Sequence, residues 1–150
     1  MRVVTISQVL EHVEEFEDLL EKFYETCSHE NPHEGVRLLT DYMSRHSHHI
    51  RDFLNGIPVD ERNHLLTFPI SYEPHVPDCR CFEEIDLSED ADARHMLDAA
   101  VQLDECLVQL YRQILHHPVE QHVKEFFEGL IRTLEKDEVQ LKKIKAMDYF

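Results

Sequence analysis

Apolar residues recur at helical spacing through most of the chain. One stripe, Ile6, Val9, Val13, Phe16, Leu20, Phe23 and Cys27, predicts a helix over about residues 7–28. "SHENPHEG" interrupts it with Pro32 and Gly35. A second stripe, Leu39, Met43, Ile50, Phe53 and Leu54, predicts a helix over about 36–54 that stops at "NGIP". The third helix is predicted over about 89–116, with Ser88 as its N-cap and acids in its first turn. Pro118 ends it. The fourth, over about 119–147, carries Val123, Phe127, Leu130, Leu134, Leu141 and Ile144 on one face, with lysines near its negative end.

About 30 residues between the second and third helices carry four prolines and little periodicity, a connection long enough to expect a purpose. It is read as a crossover over about 55–88. The chain also repeats itself. "FEDLLEKFY" (16–24) and "LDECLVQLY" (103–111) share an acid, a Leu three residues later and a Tyr seven after the acid. "YMSRHSHHI" (42–50) aligns more loosely with "TLEKDEVQL" (133–141). Two helical hairpins of one design, joined by a crossover, predict an all-α antiparallel four-helix bundle in a single domain spanning 1–150.

The acid-then-Tyr spacing, the paired hairpins and the crossover resemble the ferritin-like superfamily, its rubrerythrin-like branch above all. Hemerythrin-like bundles use short loops and H-x3-H or H-x3-E spacings, which are not arranged that way in this chain.

Each residue turns about 100° around a helix axis, so facing can be worked out. His46 falls in the middle of its apolar stripe, His49 at the edge, and His48 on the opposite side. Glu17 and Asp104 lie inside the apolar arcs of the first and third helices. Asp137 sits at the centre of the fourth stripe and Glu138 at its margin. Glu17, His46, Asp104 and Asp137 are therefore the inward polar residues near mid-helix, with His49 and Glu138 as secondary candidates. Three acids converging in a core repel one another unless they bind protons, basic groups or a metal.

The resemblance implies a carboxylate-bridged pair of metal ions, held by one acid from each of two helices and a Glu-x-x-His from each of the other two. Glu17 and Asp104 match the lone acids. The second helix departs from the pattern with His46-x-x-His49, and the fourth has Gln140 three residues after Asp137, where a histidine belongs. This set suits one Fe, Mn or Zn ion or a degraded pair. The alternative is a metal-free core with His46 paired to Asp137 or Glu17, in a non-catalytic bundle acting in binding or assembly. Were the site redox-active, the resemblance implies oxygen or peroxide chemistry; whether the chain is an enzyme, and on what small-molecule substrate, stays open.

Composition narrows the partners. The net charge of -16 gives no basic footprint for nucleic acid and disfavours anionic membranes. No window approaches the roughly 18 apolar residues of a membrane span. A cytoplasmic protein with four reduced cysteines is expected, and a homodimer through a helix face is compatible with this fold class. His75-x3-Cys79-x-Cys81 reads as a zinc clip, a redox pair or ordinary loop thiols. "HHPVEQH" (116–122) reads as surface. Tyr24 and Tyr111 read as core residues with a hydroxyl partner, or as neighbours of the site.

Overall fold

The computed structural model describes residues 2–30, 34–72, 85 and 93–146. Among them the chain is mostly helical, an all-α protein with one small ribbon. β1 (Arg2–Thr5) leads directly into α1 (Ile6–Glu30). Thr5 and Gln8 form the reciprocal cap that starts α1. The Gln8 amide donates to Thr5 Oγ1 at 3.2 Å, and the Thr5 amide donates to Gln8 Oε1 at 2.9 Å.

The second predicted helix is divided. α2 (Glu34–His46) and α3 (His49–Asn55) meet at Ser47–His48. There the His48 amide donates to the Arg45 carbonyl, three residues back, at 3.4 Å. α4 (Val59–Thr67) and β2 (Pro69–Tyr72) follow, then α5 (Ala93–Leu115) and α6 (Gln121–Ala146).

The crossover thus differs from the patternless segment expected. β2 pairs antiparallel with β1, Val4 opposite Ile70 and Thr5 opposite Pro69. Proline is tolerated there because it opens its strand. Four-residue strands are too short for a clear period-2 signal, which is why both escape a reading by periodicity. The ribbon ties the return of the crossover to the start of α1.

α5 packs along α6, α1 along α2, and α2 faces α5. α4 lies against α1 and α6, and α3 against α6. Leu20, Met43, Leu103, Leu107, Phe127 and Leu134 are among the fully buried side chains between them. Each such residue contributes about 1.5–3 kcal/mol by burial. No helix among the described residues is long and apolar enough to cross a membrane.

The cysteines need one correction. Cys27 keeps a buried thiol as expected, but Cys106 is disulfide-bonded. Spacing alone cannot pair distant cysteines, so position along the chain does not announce the bond. The His75–Cys79–Cys81 motif and Ser88 lie outside the described residues.

Gly129 is what lets α3 approach α6. A Cβ there would stand 2.9 Å from Phe53 Cε1. Gly129→Leu keeps helix propensity but displaces that ring, and is expected to cost about 1–3 kcal/mol. The check is a lower urea midpoint at unchanged m-value. Gly56→Ala, whose Cβ would rest 3.5 Å from a carbonyl oxygen, is the control and should change stability by under about 0.5 kcal/mol.

Candidate metal centre

α1, α2 and α5 each turn one polar side chain into their common core. Glu17 and Asp104 are completely buried, and His46 is 4% exposed. The imidazole lies between the carboxylates. His46 Nδ1 is 2.9 Å from Glu17 Oε2, and His46 Nε2 is 2.8 Å from Asp104 Oδ1.

The two contacts differ in kind. Nδ1 donates a well-formed hydrogen bond to Glu17. Nε2 and Asp104 Oδ1 approach out of line and each lacks a hydrogen-bond partner, as does Glu17 Oε1. In a neutral ring whose Nδ1 holds the hydrogen, Nε2 is bare. A bare nitrogen 2.8 Å from a carboxylate oxygen sets lone pair against lone pair, so the gap calls for a cation. Burial pulls the His46 imidazolium downward. The Asp104 and Glu17 contacts and charges overcome it and push the group up to about 10. Burial likewise works to raise Glu17, but the bonds from His46 and His49 bring it below its ordinary value.

A surrounding layer fixes this group. Tyr42 donates to Asp104 Oδ2 at 2.7 Å, and burial beside Asp104 raises the phenol and keeps it a donor. His49 is more deeply placed than its edge position suggested, at 7% exposed. The interruption at Ser47–His48 resets the helical phase. His49 Nδ1 donates to the His46 carbonyl at 2.8 Å, and its Nε2 meets the Tyr111 hydroxyl at 3.4 Å. Its Nδ1 is also 3.5 Å from Glu17 Oε2. Glu17, His46 and His49 form a buried group whose ligand atoms lie within 4.8 Å of one another and could hold a metal ion.

Asp137 is half-buried rather than central. It lines a cleft of about 550 Å³ with Tyr42, Arg45, His46, His49 and Leu141. Burial raises its carboxyl, His46 pulls it down and Asp104 pushes it up, so it feels both members of the gap. Glu138 is not brought to the cluster. It pairs with Lys142 at 3.0 Å, one turn along α6. Tyr24 donates to the Met96 carbonyl, the core role expected of it, whereas Tyr111 touches the site through His49. Facing arithmetic passed over Ser47, a buried hydroxyl that donates to Glu21 Oε2 at 2.7 Å. A polar residue flanking His46 is the only sequence sign of it.

No protein-family model, curated protein or solved structure matches this chain. What fold and site define is therefore a class by geometry: a helical protein with a histidine clasped by two buried carboxylates.

The pH dependence of the metal-free protein follows from two opposite shifts. His46 is raised from 6.5 to about 10, so its contribution is complete below about 6.5 and drains away as pH climbs toward 10. Glu17 is lowered from 4.5, so its contribution is complete above that value and is lost in acid. Melting temperatures in the presence of a chelator should decline on the alkaline side between about pH 6.5 and 10. His46→Gln, which can still donate to Glu17 but does not titrate, should flatten that limb.

Proposed function

We propose that the chain is a ferritin-like, rubrerythrin-like four-helix bundle that binds one transition-metal ion in its core. α1 with α2–α3 forms one hairpin and α5 with α6 the other, joined by a crossover through α4 and β2. The carrying observation is the pair of partnerless buried atoms, His46 Nε2 and Asp104 Oδ1, 2.8 Å apart. Two ligands bound at about 2.0–2.2 Å stand about 3.0 Å apart at a right angle and about 3.4 Å apart at a tetrahedral one, so the pair needs to open by only a few tenths of an ångström to admit an ion.

Glu17 suits the role of orienting carboxylate. It accepts from Nδ1 and leaves Nε2 to bind, the arrangement that usually supports a metal-bound histidine. Its Oε1, buried and without a hydrogen-bond partner, offers a further donor. Asp137 lines the same cleft as His46, and His49 is within reach on the Glu17 side. This donor set of imidazole and carboxylate suits Fe, Mn or Zn. It suits one ion better than two, because His46 replaces a bridging acid and Gln140 a second histidine. When bound, such an ion supplies Lewis acidity and, for iron or manganese, electron transfer of the kind the resemblance associates with oxygen or peroxide. The cleft gives a small molecule a path to that position, Tyr42 holds Asp104, and Arg45 places a cation among the lining residues.

A second reading rests on the same gap. With a proton in place of the ion, His46 is an imidazolium with a carboxylate against each nitrogen, and its raised pKa favours that state. The chain would then be a metal-free bundle serving in binding or assembly.

Untagged protein loaded with Fe, Mn or Zn should retain one more ion per chain than His46→Leu or Asp104→Asn, measured by elemental analysis. Below about pH 10 each core ion should release about one proton, that of His46. His46→Leu leaves two buried carboxylates without their counter-charge and should lose about 3–5 kcal/mol. Asp104→Asn keeps the shape and separates ligand loss from unfolding. Equal metal content in all three proteins sinks the metal reading and leaves the second.

A further inference from the structure

A second group of ligand-type side chains lies outside the core site, where the end of α4 meets the start of α6. His64 stands in the last turn of α4. Glu120 precedes α6, accepting its first helical bond from the Lys124 amide, and His122 follows two residues later. His64 and Glu120 are 56 residues apart in sequence, so no local motif announces the group. His64 Nε2 is 2.8 Å from Glu120 Oε2, and His122 Nδ1 is 3.4 Å from that same oxygen. The two rings lie 4.8 Å apart, and the ligand atoms of all three residues fall within 4.8 Å of one another.

We propose that His64, Glu120 and His122 form a binding site for a divalent ion of the Zn²⁺ class, which clamps α4 to the start of α6. Two imidazoles and one carboxylate make a zinc-type donor set with three protein ligands and a fourth position left for water. The 3.4 Å separation matches the edge of a tetrahedron around an ion bound at about 2.0–2.1 Å, and the 2.8 Å one reaches it if the exposed His64 ring gives by about 0.6 Å. As a plain ion pair the arrangement gains little, since the His64 and Glu120 side chains are more than half exposed and screened by water. His122 presents Nδ1, not Nε2, to the site. The chain's charge of -16 draws cations to its surface.

The placement gives the ion a structural consequence. His122 also lines an apolar cleft of about 550 Å³ with Phe53, Ile57, Leu65 and Phe126. An ion joining α4 to α6 would brace one rim of that cleft and, through α4, the β2 strand that returns to the N-terminus.

The test is titration of ZnCl2 into the chelator-stripped full chain and into a His64→Gln/His122→Gln variant, followed by calorimetry and by imidazole proton NMR. The wild type should show a zinc-binding event that shifts the His64 and His122 signals. The variant should bind more than about 100-fold more weakly there, beyond the loss usual for an outer partner of a metal, while the His46-dependent metal content is unchanged. Circular dichroism verifies that the variant is folded, as surface substitutions should leave it. Unmoved His64 and His122 signals at saturating zinc, or equal affinity in both proteins, would overturn the site and leave a surface hydrogen-bonded cluster only.

Discussion

Two carboxylates, Glu17 from α1 and Asp104 from α5, are buried completely in a helical core. Burying an ionised carboxylate with nothing to offset it costs several kcal/mol, and the other polar features of the core answer that cost. His46 enters from α2 with one nitrogen toward each acid. Tyr42 takes the remaining oxygen of Asp104. Three helices are thereby joined through polar side chains at the level where apolar packing would otherwise be continuous. The positions of α1, α2 and α5 and the charge state of the centre therefore cannot vary independently.

The interruption between α2 and α3 belongs to the same arrangement. An unbroken helix would carry His49 to the edge of the apolar stripe. Instead the chain tightens at Ser47–His48, Ser47 reaches Glu21, and His49 turns back onto the His46 carbonyl. The carbonyl of the central histidine is satisfied by the ring of the next one, which in turn meets Tyr111. α6 has no such break, and its counterpart of His46, Asp137, remains at the wall of a cleft. α1 and α5 thus share a pattern of acid and tyrosine, Glu17 with Tyr24 and Asp104 with Tyr111, but α2 and α6, which pack along them, differ where they face the centre. The cleft beside α6 therefore reaches His46, while Glu17 and Asp104 stay buried behind it.

Much of this was legible from spacing. The helices, and the inward facing of Glu17, His46 and Asp104, follow from a period of about 3.6 residues. The same arithmetic misplaced His49, because it assumes one uninterrupted helix, and nothing in "RHSHHI" marks the change of phase. It overvalued Glu138, whose marginal position is settled by Lys142 four residues on. The β1–β2 ribbon and α4 were too short to declare themselves beside prolines. His64 could not be grouped with "HHPVEQH" without knowing that α4 folds back onto α6. Residues sharing one regular element can be read from sequence; what meets across elements, or at a break within one, depends on packing.

The core gap treats a proton and a metal ion as rivals for one seat, and their relative strength can be bounded. With His46 raised to about 10, removing its proton at pH 7 costs about 4 kcal/mol, at about 1.4 kcal/mol per pH unit. Zinc on preferred protein ligands gains on the order of 10 kcal/mol or more, although fewer and harder donors gain less. An ion displaces the proton only where its binding recovers that cost and also the cost of dilution, about 8 kcal/mol at micromolar concentration; without an ion, the proton keeps the carboxylates apart and the fold intact. A metal-free core can therefore hold together, because His46 supplies the positive charge between the two acids. An acid at position 46 would supply none, and three buried carboxylates would then depend on the ion for folding itself. A histidine at position 46 thus gives a core whose two buried acids are balanced without any ion.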